Sequence, residues 1–242
     1  MKKKVSLKDI AQKVGVSIAL VSYVLNNKKE GRISKEIAEK IKATAKKLDY
    51  RPNQIAKSLK SNRTNTIGLI VADIANPFSS GLARIIEDEA EKNGYTVIFG
   101  SSDEKAERSQ KLIDVLRDRQ VDGIIIAPAA GTELQMKALQ KNGMPLVLVD
   151  RYFPELKVNY VTIDNLGAAF AGVNHLVETG CQRIGLIAFK TDLLHLQDRK
   201  LGYLQALKKG KIAVSKSLIK EVAIDETTQE EVEVAINELL RL

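Results

Sequence analysis

Residues 5–26 read VSLKDIAQKVGVSIALVSYVLN. Leu7, Ile10, Ala11 and Val14 fall at i, i+3, i+4 and i+7, the spacing of one helix face. Ser6, with Asp9 three residues on, makes a capping box in which Asp stands in for the usual Glu or Gln. Gly15 ends that helix, because glycine takes the left-handed conformation without a Cβ penalty. Ser17 then caps a second helix. In it Leu20, Val21, Val24 and Leu25 turn one way, while Ile18, Ala19, Ser22, Tyr23 and Asn26 turn the other. Two short helices around a glycine turn describe a helix-turn-helix, whose second helix enters the DNA major groove. The same pattern also suits ordinary core packing. Ile18 and Tyr23 on the outer face favour the DNA reading, since a solvated helix would not place them there, and so does the charge around them.

Formal net charge is +8 over 242 residues, and it is unevenly placed. Residues 1–65 hold 17 Lys and Arg against 5 Asp and Glu, whereas the remainder holds 21 against 25. A basic module is followed by a mildly acidic body, which is the electrostatic footprint of a polyanion partner. A membrane surface is the competing partner, but the basic segments lack the broad apolar face of an interfacial helix. Cys181 is the one cysteine, so no internal disulfide forms and a reducing compartment is expected. Ser6, Lys8 and Asp9 interrupt any apolar core behind the basic start, which argues against a signal peptide. No run approaches the roughly 18 apolar residues of a membrane helix. The expectation is a soluble, cytoplasmic protein of one to two domains, each about 100–200 residues.

After Asn26 comes a basic loop, NKKEGRI. Lys28, Lys29 and Arg32 in it can reach phosphates, or can simply be solvated. Ser34 is placed to cap a third helix over 35–48, with Ile37, Ala38, Ile41, Ala45 and Leu48 on one face. Arg51–Pro52 is expected to stop it, since the residue before proline is pushed out of the helical region. Residues 53–60, NQIAKSLK, carry Ile55, Ala56 and Leu59 on one face. This segment is shorter than the roughly 12–15 residues at which isolated helices become marginal, so it is expected to be helical only when held. SNRTN, 61–65, reads as linker.

From Thr66 the pattern changes to apolar strands over 66–73, 95–101, 122–127, 145–150, 159–164 and 183–189, with a weaker strand over 218–224. Helices are expected over 79–92, 106–119, 133–141, 167–179, 197–209 and 228–240. Doubly buried strands alternating with helices predict a doubly wound parallel sheet. No glycine-rich phosphate fingerprint or Walker loop follows any strand. Ligands in such sheets bind beyond the carboxyl ends of the strands. Asp73 to Ser79, Ser101 to Asp103, Pro128, Asp150, Arg151 and Asp164 fall there. Each also reads as a turn or cap residue, but together they form a polar rim suited to a small polar ligand.

The marks LKDIA, Val16–Ser17, Val21–Ser22 and Asn26, with YRPNQIAKSLKSNRTNTIGLIV at 50–71, resemble the lactose-repressor (LacI/GalR) family of bacterial transcription regulators. The resemblance runs from Val5 to about Tyr203. It implies an all-α helix-turn-helix headpiece with a hinge helix over 1–60. It further implies a periplasmic-binding-protein-like α/β effector and dimerisation domain over 61–242, whose second lobe is incomplete at Leu242. By the same resemblance a homodimer binds a pseudopalindromic operator in double-stranded DNA. The DNA-contacting set is then Ser17, Ile18, Ala19, Ser22, Tyr23, Asn26, Lys28, Lys29 and Arg32, with Asn53, Ala56, Leu59 and Lys60 from the hinge. Leu20 departs from the Thr common at its position, which removes a phosphate contact. Phe78, Ser79, Asp150, Arg151, Asp164 and Arg199 correspond to positions that hold a small-molecule effector such as a sugar or nucleoside. Arg199 sits in an Arg-x-x-Gly-aromatic motif, and a guanidinium fork suits hydroxyls or carboxylates.

The rival reading is an enzyme, a recombinase or a nucleotide-handling α/β enzyme, that carries a DNA-binding headpiece. It would need a nucleophile with a base, or a metal cluster. His175 and His195 lack metal-type spacing. His175 reads as a structural helix residue, Cys181 as a small packing residue, and no carboxylate pair stands out. No catalytic residue, metal or cofactor is expected.

Overall fold

The computed structural model describes residues 5–26, 33–50, 63–223 and 228–242. It divides into two compact units, 1–62 and 63–242. The first contains α1 (Leu7–Val14), α2 (Ile18–Leu25) and α3 (Lys35–Lys47). The capping box is complete: Ser6 accepts from the Asp9 amide, and the Asp9 carboxylate accepts from the Ser6 amide at 2.8 Å. Gly15 closes α1 at φ 79°, and the Ser17 hydroxyl accepts from the Leu20 amide at 3.2 Å. Ile10, Val21 and Ile41 meet at the centre of a small core with Ala11, Val24 and Ala45.

Two local expectations need correction here. Ser34 holds the cap position of α3 but makes no side-chain capping bond. The helix α3 ends at Lys47, one residue before the expected end, and Leu48 is its C-cap rather than Pro52 its stop. Asp49 turns left-handed at φ 49°, and the Tyr50 amide returns to the Ala45 carbonyl at 2.9 Å. This is a six-to-one closure that needs no proline. The loop bearing Lys28, Lys29 and Arg32, and the hinge segment bearing Asn53, Ala56, Leu59 and Lys60, lie outside the described residues.

The second unit runs β1 (Thr66–Val71), α4 (Pro77–Lys92), β2 (Thr96–Ser101), α5 (Ala106–Asp118), β3 (Gly123–Ile126), α6 (Glu133–Lys141), β4 (Leu146–Val149) and β5 (Asn159–Val161). It continues with α7 (Asn165–Glu178), β6 (Leu186–Phe189), α8 (Leu194–Lys209), a 3₁₀ turn (Lys216–Leu218), β7 (Ile219–Val222) and α9 (Thr228–Leu240). Every strand pairing is parallel. The strands form two sheets, one in the order β2-β1-β3-β4-β5 and one of β6 and β7. The break follows β5, whose three residues are all exposed. The main core is built on Ile70, Ile124, Ile126 and Leu148, covered by Ile113, Leu116, Met136 and Leu139.

Around the smaller sheet, Tyr203 is only 1% exposed and donates its hydroxyl to the Ile184 carbonyl at 2.9 Å. One residue earlier, a Cβ on Gly202 would stand 2.4 Å from the Leu166 carbonyl. The glycine of the Arg-x-x-Gly-aromatic motif therefore permits the close approach of α8 to α7.

Element ends differ from the sequence expectation where a cap was overlooked. The Asn76 side chain accepts from the Phe78 amide, and Pro77 starts α4 two residues early. Likewise α8 starts at Leu194 rather than 197, and Leu218 belongs to the 3₁₀ turn rather than to β7. Cys181, expected as a small packing residue, is exposed, with its Sγ 3.9 Å from the Thr179 hydroxyl. The tail of the expected linker is held: Asp122 accepts from the Thr64 amide at 2.8 Å and the Asn65 amide at 2.9 Å, tying the entry of β1 to the start of β3. Removing that carboxylate in Asp122→Ala leaves these amides without their acceptor. It should lower the stability of this unit by roughly 1–3 kcal/mol. The check is a drop in urea midpoint at unchanged m-value.

Candidate functional sites

On α2 the outer face is set by default, because Val21 and Val24 take the inner one. Ile18 is left 47% exposed, beside exposed Ala19 and half-buried Ser22 and Tyr23. Ser17 is exposed at the N-terminus, where helix amides and the dipole favour an anion such as phosphate. Neither Ile18 nor Ala19 has a hydrogen-bonding side chain, so they suit thymine methyls and groove shape. Asn26 is already engaged: its amide donates to the Ser22 carbonyl at 2.7 Å and completes the last turn of α2.

In the second unit, all five strands of the larger sheet present their carboxyl ends along one edge. Several rim residues there hold the loops to each other. Asp73 accepts from the Ala75 amide at 2.9 Å, and the Ser101 hydroxyl accepts from the Ile74 amide at 3.2 Å. Ser102 donates to the Val71 carbonyl, and Asp103 pairs with Arg108. Asp164 caps α7 by accepting from the Gly167 amide at 2.8 Å. Ser79 is buried in the first turn of α4, and Phe78 is exposed beside it. Among the described residues, no hydrogen bond or ion pair joins either of them to Asp150, Arg151 or Arg199.

Asp150, Arg151 and Arg199 do come together. Asp150 follows β4 in the left-handed region at φ 66°, and Thr162 donates to its carbonyl at 2.7 Å. Tyr152 stacks on Tyr160 with ring centroids 4.4 Å apart, which fixes the same loop. Arg151 forks onto Glu104, with both terminal nitrogens at 2.6 Å from its two oxygens. Arg199, largely exposed on α8, donates Nε to Asn165 Oδ1 at 2.8 Å, and Asn165 is only 3% exposed. One turn before Arg199, His195 is 6% exposed. Burial holds its imidazole down at about 4; the charges of Arg151 and Arg199 add to that, and Glu104 opposes. Burial likewise raises the Asp150 carboxyl, against the pull of Arg151 and Arg199.

Glu104 and His195 are functional candidates that sequence reasoning missed. Glu104 lies one residue past the rim segment taken after β2. His195 was weighed only as a metal ligand. Its place one helical turn from Arg199 was the available signal. Among the described residues, no group of three His, Cys, Asp or Glu is placed to hold a metal ion. Among them too, no helix is long and apolar enough to cross a membrane.

A basic helix-turn-helix unit is thus joined in sequence to an α/β unit with a charged edge. Residues 64–242 match the periplasmic binding proteins and sugar binding domain of the LacI family, and residues 6–53 match the bacterial regulatory proteins of the lacI family. The chain belongs to this family. It is similar to the ribose operon repressor of Halalkalibacterium halodurans, 35% identical over 86% of this chain and 61% of that protein. It is also similar to the transcriptional repressor CytR of Escherichia coli, 35% identical over 88% of this chain and 62% of that protein. The chain thus spans less than two thirds of the length of these relatives. Its fold is similar to that of a chain of the lac repressor dimer crystallised with operator and the anti-inducer ONPF, with a TM-score of 0.81 and 24% identity over 98% of this chain and 71% of that one.

The buried imidazole gives a pH prediction with a definite sign. Unfolded, His195 titrates near its ordinary 6.5; folded, it is held at about 4. Between those values only the unfolded chain takes up the proton, so stability should fall as pH drops from about 6.5 to about 4, by roughly 3 kcal/mol. Below that window the contribution levels off. Urea titrations across it should show the slope in the wild-type protein and a flatter one in His195→Gln.

Proposed function

We propose that this chain is the DNA-binding and effector-sensing part of a transcriptional repressor. The reading assigns residues 1–60 to operator binding and 61–242 to effector binding and dimerisation. A homodimer binds a pseudopalindromic operator in the cytoplasm, and a small metabolite of the sugar or nucleoside kind modulates its affinity. The observation that carries this reading is the outer face of α2, where Ile18 and Ala19 are exposed and Tyr23 half-buried in a strongly basic unit. The named relatives, a ribose operon repressor and CytR, support the regulatory role. Ser17, Ser22 and Asn26 complete the DNA-facing set on α2. Lys28, Lys29 and Arg32 add phosphate contacts, and Asn53, Ala56, Leu59 and Lys60 act from the hinge.

Effector binding is assigned to Asp150, Arg151 and Arg199 at the carboxyl ends of the strands, with Phe78, Ser79 and Asp164 at the same edge. No chemistry is assigned to the bound ligand, since the site reads as one for recognition without turnover. A specific palindromic fragment recovered from fragmented genomic DNA, and protected over both half-sites, supports the proposal. Recovery of no preferred fragment sinks it.

Tyr23→Ala should weaken specific binding by roughly 1–3 kcal/mol and relax one operator position, with non-specific binding and its salt slope unchanged. Titration against single-position operator variants at fixed salt reads this directly. An unchanged preference at every position would remove Tyr23 from the reading set.

A further inference from the structure

Four charged groups meet where β2 and β4 end and α8 begins. Glu104 and Asp150 are negative, Arg151 and Arg199 positive, and His195 is held neutral. Arg151 is the most enclosed of the cations, its side chain 12% exposed. Its two terminal nitrogens are both taken by Glu104 at 2.6 Å, and one of them also lies 3.4 Å from the Pro128 carbonyl. Its Nε is buried without a hydrogen-bond partner, 3.9 Å from the nearer Asp150 oxygen. Burial raises the Asp150 carboxyl, which makes Asp150 the weaker counter-ion. Glu104 is thus the anion that balances Arg151. It is held in place by a loop in which Asp103 and Glu104 are both left-handed, at φ 47° and 58°. That conformation is uncommon for such residues and persists where surrounding contacts fix it.

We infer that Glu104 is a specificity-determining residue: it occupies the anion seat on Arg151 and so restricts the pocket to uncharged, hydroxyl-bearing ligands. This rests on the effector pocket proposed above and adds the rule for ligand charge. A carboxylate or phosphate offers a guanidinium the same paired oxygens that Glu104 offers. An anionic ligand would have to displace Glu104 and leave its carboxylate close to Asp150, where like charges repel. A neutral polyol has no such competitor. Its hydroxyls can accept from Arg199, which is exposed and gives only its Nε to Asn165, and can donate to the Asp150 carboxylate. Of the two arginines, the enclosed Arg151 is the one already answered by Glu104, whereas Arg199 is exposed and bonded to the neutral Asn165 side chain.

Glu104→Gln removes the charge and keeps the shape, leaving Arg151 an enclosed cation without its counter-ion. The probe is inorganic phosphate, compared with sodium chloride at matched ionic strength, by calorimetry and thermal melting. Wild-type protein should show no phosphate-specific response. Glu104→Gln should bind phosphate at least tenfold more tightly than wild type, and its melting temperature should rise with phosphate as mass action requires. Glu104→Asp, which keeps the charge, should stay phosphate-blind, and adding Arg151→Gln to Glu104→Gln should abolish the gain. Equal phosphate affinity in wild type and Glu104→Gln overturns the inference, as does a gain that survives loss of Arg151. Preferential phosphate binding by wild type itself also overturns it, whether or not any variant folds. None of these readings uses DNA, so a failure of operator binding is distinguishable from a failure here.

Discussion

The apolar strands β1 and β3 at the centre of the larger sheet constrain everything built around them. Leu69, Ile70, Val71, Ile124 and Ile126 are buried, so both faces of the sheet must be covered by helices. Covering both faces requires a crossover between successive strands, and crossovers make the pairings parallel. A parallel sheet sends every strand's carboxyl end to the same edge. The polar loops have nowhere else to gather. Asp73, Ser101, Asp103, Glu104, Pro128, Asp150 and Arg151 share that edge because the sheet core leaves no other exit for the chain.

Once gathered, the charged groups must be reconciled with partial burial. An enclosed guanidinium is tolerated only with a counter-ion and well-formed hydrogen bonds. Glu104 supplies both to Arg151, and Asn165 supplies a neutral acceptor to Arg199. The imidazole of His195 stays uncharged chiefly because it is buried; the two arginines add to that, and Glu104 opposes it only in part. The result is an edge on which the most enclosed cation is matched by a carboxylate and only its Nε is buried without a partner among the described residues. The same arrangement makes the edge sensitive to acid, because protonating His195 or neutralising a carboxylate upsets the balance.

The N-terminal unit works by a different economy. Six buried residues on three helices form its core, and partly buried side chains such as Leu7, Leu20, Leu25, Ile37 and Leu48 pack against them. Helix α2 divides its eight residues between an inner, packed face and an outer, exposed one. Val21 and Val24 anchor it, and Ile18 and Ala19 are left outside. An apolar, exposed N-terminal turn is an unfavourable choice for a solvated helix and a useful one for a major groove lined with methyl groups.

The sequence alone determined whatever depends on near neighbours. The capping box at Ser6 and Asp9, the stop at Gly15, the inner face of α2 and the alternation of strands and helices all follow from residues within about one or two helical turns of each other. The ends of elements were less legible when the closing group was unusual: Asp49 ends α3 left-handed, and Asn76 with Pro77 starts α4 early. The tertiary structure alone decided what is brought together from afar. Asp122 holds Thr64, 58 residues before it, and Arg151 takes its counter-ion from Glu104, 47 residues before it. Sequence placed Arg151 at the edge, but only the folding of two distant loops onto one edge shows that its charge is already answered. The physical reason is that local pattern fixes which way a side chain faces, whereas the charge it meets there is set by whatever other strand ends at the same edge.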